Sequence, residues 1–116
     1  TEWGENLTGY CGYSNLGAVI GAAYPGELNF LRSKMPGVFF LIPGYGAQGG
    51  GASDVLAGFD KNGLGAIVNS SRGIIFAATR GPLQEEFSEE EFAQAARQAA
   101  LNMRNQINQA LESTYS

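Results

Sequence analysis

Apolar residues along this chain come in short unbroken runs, separated by segments whose apolar positions recur every three or four residues. The first run, Gly17-Ala18-Val19-Ile20-Gly21-Ala22-Ala23, ends at Tyr24-Pro25. It reads as a buried strand, and Pro25 suits the first turn of a following helix, where its missing N–H leaves no bond unmade. Leu28, Leu31 and Met35 then fall at helical spacing until Pro36-Gly37 stops the segment, which predicts a helix of about three turns. The pattern recurs with Val38-Phe39-Phe40-Leu41-Ile42, a glycine-rich loop, and Val55, Leu56 and Phe59 on one helical face ending near Asn62-Gly63. Leu64-Gly65-Ala66-Ile67-Val68-Asn69 opens a third round. Strands that are apolar at every position are expected to be covered on both faces, and alternation of strand with helix implies parallel pairing. The predicted order is βαβαβ.

Beyond the third strand, Ser70-Ser71-Arg72-Gly73 leads into Ile74-Ile75-Phe76-Ala77-Ala78, which fits either one more strand or one short helical turn. Ser88 and Glu91 then stand at the two positions of a capping box, with Phe87 and Phe92 in the flanking staple positions. Phe92, Ala96, Ala99, Met103, Ile107, Ala110 and Leu111 continue at three- and four-residue spacing. A long final helix packed on the sheet is the expectation.

Composition narrows the chemistry. The 116 residues are 44% hydrophobic and 16% charged, which suits one folded domain on size alone. The net charge of -4 and the absence of a basic run argue against nucleic acid as a partner. Glu85, Glu86 and Glu89 to Glu91 read as a solvated helix start rather than a cation site. With no His and a single cysteine, Cys11, a His-based triad, a Cys/His zinc site and an internal disulfide are all excluded. Cys11 is expected to be a small, partly buried apolar residue. A cytoplasmic chain is the simplest reading. No apolar stretch approaches the roughly 20 residues needed to cross a bilayer, and without a charged region followed by an apolar signal core export is not expected.

In parallel α/β proteins, the loops leaving the C-terminal ends of strands carry the site. Two such loops stand out. Pro43-Gly44-Tyr45-Gly46-Ala47-Gln48-Gly49-Gly50-Gly51 leaves much backbone bare, so that its N–H groups can converge on an anion while Gln48 adds a neutral donor. Glycine content alone fits a surface turn equally well, and the Gly-Lys-Ser/Thr ending of a phosphate loop is missing. After the next strand, Asn69-Ser70-Ser71-Arg72-Gly73 brings two hydroxyls and a guanidinium suited to bidentate phosphate contact, and a helix starting near Ser71 would add N–H groups. Asp60-Lys61 is a decoy for acid-base chemistry, because it falls at the end of a helix, on the opposite side of the sheet from the glycine loop.

These two loops, Phe40-Leu41-Ile42-Pro43-Gly44-Tyr45-Gly46-Ala47-Gln48-Gly49-Gly50 and Ala66-Ile67-Val68-Asn69-Ser70-Ser71-Arg72-Gly73-Ile74, closely resemble those of the orotidine 5′-monophosphate decarboxylase family in its longer bacterial type. The likeness extends over essentially the whole chain, from Gly17 to the final helix. It implies an α/β fold of the TIM-type (β/α)8 barrel, of which residues 1–116 would be a single partial domain: about three βα units, strands six to eight. A complete barrel takes about 250 residues, so the chain is expected to be a C-terminal segment. The resemblance further implies decarboxylation of orotidine monophosphate to uridine monophosphate without cofactor, in a homodimer or by pairing with the missing N-terminal part. By the same resemblance Gln48 and Arg72 are the side-chain contacts to the substrate phosphate. Gly49, Gly50 and Gly73 are backbone positions around it, and Pro43 lies near the pyrimidine. The Asp-x-Lys-x-x-Asp catalytic constellation of the family is absent, and Asp60-Lys61 matches neither its spacing nor its place. No catalytic residue is therefore expected in this chain.

Two other readings remain open at this point. Another sugar-phosphate decarboxylase, aldolase or synthase on the same barrel would share a phosphate site, although the Gln48 loop argues against it. A non-catalytic half-barrel that binds anions, or self-associates through exposed strand edges and the uncovered inner faces of an unclosed barrel, belongs to a different class altogether.

Overall fold

The structure, a computed structural model, describes residues 8–10, 12–21, 24–45 and 51–115. Three strands, β1 (Gly17–Val19), β2 (Phe39–Ile42) and β3 (Ala66–Val68), form one parallel sheet in the order β1-β2-β3. Helix α1 (Pro25–Lys34) joins the first two strands. A single α-turn, α2 (Ala52–Val55), continued as a 3-10 turn over Leu56–Gly58, lies between the second and third. The helix expected to run to Asn62-Gly63 is thus shorter, and Phe59 follows it with extended backbone, its N–H bonded to the Leu56 carbonyl. The alternative left open after β3 resolves as one helical turn, α3 (Arg72–Ile75). The chain closes with α4 (Phe92–Tyr115), preceded by a 3-10 turn at Glu89–Glu91.

One hydrophobic cluster holds the sheet to its helices. Phe40 and Ile42 of β2 pack with Leu28 of α1, Val55 of α2 and Ile107 of α4, with Ala66 and Val68 of β3 against them. All the main helices therefore sit on one face of the sheet. The opposite face, expected to be covered as well, is open. Val19, Leu41 and Ile67 occupy one cross-strand row in register and are 70%, 39% and 61% exposed. Consecutive parallel strands with helices on one face only are the arc of a barrel, whereas a doubly wound sheet alternates its helices between faces. The apolar inner row is what an arc leaves bare when the rest of the barrel is not beside it.

A buried arginine that the sequence did not single out locks the N-terminal ends of the strands. The Arg32 guanidinium, on α1, donates to the carbonyls of Gly58, Gly65, Met35 and Val38 at 2.9, 3.1, 2.6 and 2.6 Å. It lies 4.0 Å from the Phe40 ring centre. Beside it, Asp60 accepts from the Tyr13 hydroxyl at 2.9 Å and from the Asn62 and Leu64 amides at 2.8 and 3.0 Å. Asp60 is accordingly a loop-tying carboxylate at the far end of the sheet from the glycine loop.

Ahead of α4, the Ser88 amide donates to the Glu91 carboxylate at 3.0 Å, as the capping-box spacing predicts. The staple does not form as a buried pair: Phe87 packs on a second cluster of Ala77, Ala78, Leu83 and Ala95, while Phe92 is largely exposed. Correspondingly Ala95, not Ala96, is the fully buried alanine of the stripe. The glutamates at 85, 86 and 89 to 91 are exposed. Cys11, Ala22 and Ala23 lie outside the described residues.

Candidate phosphate-binding site

Both suspect loops leave the C-terminal edge of the sheet, and the structure joins them. The Asn69 amide donates to the Ile42 carbonyl at 3.1 Å, carrying the β2–β3 pairing past the ends of the strands. Tyr45, immediately before the glycine cluster, is buried, and its carbonyl accepts from the buried Ser70 hydroxyl at 2.7 Å. The Tyr45 hydroxyl in turn donates to the Gln106 amide oxygen on α4 at 2.6 Å. Burial pushes the Tyr45 phenol above its usual value, so it remains a donor throughout the neutral range.

Arg72 is the first residue of α3 and is exposed. Gly73 follows it, and a methyl group there would stand 2.6 Å from the Ser70 hydroxyl oxygen. Glycine at that position is thus needed for Ser70 to stay under the turn that presents Arg72. Pro43 directly follows β2 and is half-buried. Gly44 has φ 87°, in accord with the positive φ expected of this loop. Gln48, Gly49 and Gly50 lie outside the described residues.

Arg72 and Gly73 open onto a cavity of about 450 Å³. Ile74, Ala77, Leu83 and Met103 supply its apolar surface, with Tyr45, Ser70, Arg80, Asn102 and Gln106 as polar groups. Arg80 also lies 5.2 Å from the Phe76 ring centre. Reading the sequence for loops overlooked the contribution of α4. The signal was there: Gln98, Asn102 and Gln106 recur every four residues beside the apolar stripe, and the Gln98 amide donates to the Asn102 side chain at 2.8 Å.

Among the described residues, no cluster of three or more His, Cys, Asp or Glu could hold a metal ion. No described helix is long and apolar enough to cross a membrane.

Fold and loops define a class first: an arc of a (β/α)8 barrel that carries its polar groups at the C-terminal ends of the strands. Comparison with known proteins makes this specific. The chain is 46% identical over 110 residues to orotidine 5′-phosphate decarboxylase of Clostridium tetani, covering 95% of this chain and 36% of that protein. It is 45% identical over 107 residues to the enzyme of the same description from Rhodopirellula baltica, covering 92% and 35%. Among solved structures, Leishmania donovani UMP synthase matches with a TM-score of 0.53 and 33% identity, over 74% of this chain and 18% of that one. No family model matches. The chain is a relative of the orotidine 5′-phosphate decarboxylases, corresponding to their C-terminal portion and spanning about a third of their length.

Proposed function

We propose that this chain is the phosphate-gripping part of an enzyme that decarboxylates orotidine 5′-monophosphate to uridine 5′-monophosphate. Arg72 and Gln48 hold the 5′-phosphate with their side chains, Gly49, Gly50 and Gly73 offer backbone N–H groups, and Pro43 borders the pyrimidine. The observation that carries this reading is the bond from Ser70 to Tyr45, which fastens the Arg72 turn to the start of the glycine loop. A glycine-rich loop that begins at Tyr45 and a guanidinium on the turn fastened to Tyr45 suit a dianion that must be desolvated to bind tightly.

No Lys-Asp cluster of the family's spacing occurs in the sequence, so the groups that act on the scissile bond come from outside this chain. Its contribution to rate is indirect. Binding energy at a phosphate remote from the reacting ring orders the loops and closes the site, and that energy lowers the barrier when it is realised in the transition state. The complete protein is on this reading cytoplasmic, as its lone cysteine suggests, and a homodimer or a pairing with the missing N-terminal part, as the family resemblance implies, with the open row of Val19, Leu41 and Ile67 covered by the rest of its barrel.

The test is turnover by the complete protein, with orotidine 5′-monophosphate offered alongside pentulose and hexulose phosphates. Release of CO₂ and uridine 5′-monophosphate from the nucleotide alone supports the proposal. Turnover of a sugar phosphate in its place would assign the chain to another barrel enzyme.

A further inference from the structure

The sequence brought two loops to one edge of the sheet, but nothing in it says what fixes the distance between them. Backbone pairing does little there: beyond the Asn69 to Ile42 bond, the Tyr45 amide reaches the Asn69 carbonyl only at 3.4 Å. Side chains make the closer ties. The Tyr45 hydroxyl donates to Gln106 at 2.6 Å, and the Ser70 hydroxyl donates to the Tyr45 carbonyl at 2.7 Å. Tyr45 and Ser70 are both buried. Gly73 closes the chain of contacts, because only a residue without a side chain fits over the Ser70 oxygen. One end of this line is the long helix α4, anchored by Ile107 in the main cluster and by Ala95 in the second. The other end is the turn that carries Arg72.

We infer that Gln106, Tyr45 and Ser70 are positioning residues which hold the start of the glycine loop and the Arg72 turn at the separation a phosphate needs. This rests on the phosphate-grip reading above. None of the three is assigned a contact with the substrate. They act through the two loops, using the rigid helix as a reference. A single turn of helix such as α3 has no rigidity of its own, since helices this short are marginal without tertiary support. The polar line supplies that support from beneath: the hydroxyls of the buried Tyr45 and Ser70 are both paired, with Gln106 as the exposed end on α4, and paired buried hydroxyls rigidify the segments they join.

The test uses the complete protein, with inorganic phosphate affinity read by titration and kinetics read on orotidine 5′-monophosphate and on the phosphate-free nucleoside orotidine. Tyr45→Phe and Gln106→Leu should each weaken phosphate binding and raise KM for the nucleotide about tenfold, the loss of one well-placed bond, with a smaller change in kcat. The double variant should be no worse than either single one, because both break the same bond. Gln106→Glu keeps an acceptor for the Tyr45 hydroxyl and should stay within about threefold of the native protein. The loss in kcat/KM should be several-fold greater for the nucleotide than for the nucleoside, which damage to the fold as a whole would not produce. Equal losses on both substrates, additive single variants, or unchanged phosphate affinity in Tyr45→Phe would overturn the inference. If the native protein binds phosphate but leaves orotidine monophosphate intact, the reaction assignment fails while the phosphate titrations still decide the positioning role. A native protein that binds no phosphate would overturn both.

Discussion

Replacing Arg32 with methionine removes the guanidinium while keeping a side chain long enough to lie along α1. Four carbonyls lose a donor, but not equally. Gly65 keeps the Phe40 amide as a partner at 2.9 Å, and the bond to Met35 is only partly buried, so water can replace it. The bonds to Gly58 and Val38 lie in the interior and have no such substitute nearby. Hydrogen bonds to a charged group contribute about 1.5–3 kcal/mol each, so two of them bring the expected loss to about 4 kcal/mol. That is a large share of the roughly 5–15 kcal/mol by which a domain is stable. With a urea slope of about 2 kcal/mol per molar, the unfolding midpoint should fall by roughly 2 M. Arg32→Lys keeps the charge but not the planar fork, and should lose about half as much. The assay is urea unfolding followed by far-UV circular dichroism. A midpoint for Arg32→Met within about 0.5 M of the native protein, at unchanged slope, would refute the claim that this guanidinium locks the strand ends.

Burial raises the Asp60 carboxyl pKa, but bonds from the Leu64 amide, the Tyr13 hydroxyl and the Asn62 amide, with the charge of Arg32, bring it below the ordinary 3.8. A depressed folded value stabilises above the unfolded pKa, and that stability is lost as pH falls through the folded one. The native protein should therefore lose stability below about pH 4 more steeply than Asp60→Asn does, as pH-dependent urea midpoints would report. Gly73→Ala should destabilise the α3 turn by about 1–3 kcal/mol, and combining it with Ser70→Ala should add little beyond Ser70→Ala alone, measured as thermal midpoints of the set. Leu41→Asp should destabilise the complete protein by about 3 kcal/mol or more, through an unpaired charge in the barrel interior. The same change should shift this chain alone by less than about 1 kcal/mol, because exposed surface substitutions cost little.

Much of this architecture could be read from runs and spacings. Pro25 and Pro36-Gly37 bracket α1, and the unbroken apolar runs at 17, 38 and 64 each contain a strand. The exposure of Val19, Leu41 and Ile67 departs from the two covered faces that unbroken apolar runs predict, yet it is the uncovered inner face expected of an unclosed barrel. Strands apolar on both sides call for two covered faces, and this chain supplies cover for one. Arg32 escaped notice because a lone arginine in a helix reads as surface, and its acceptors are backbone carbonyls that leave no mark in the sequence. Tyr45 was overlooked beside the glycines, and Gln106 within a stripe read for its alanines. In both cases the missing information was the tertiary approach of α4 to the loop after β2. Gly73 was expected near the phosphate, but its fit over Ser70 depends on an atomic contact that no spacing rule reports.

The central claim is that the Arg72 guanidinium grips the phosphate of a nucleotide, and steady-state kinetics of Arg72→Ala in the complete protein tests it most directly. Loss of a desolvated charged contact of roughly 3–6 kcal/mol predicts a fall in kcat/KM for orotidine 5′-monophosphate of about two to four powers of ten. Kinetics indistinguishable from those of the native protein would contradict it.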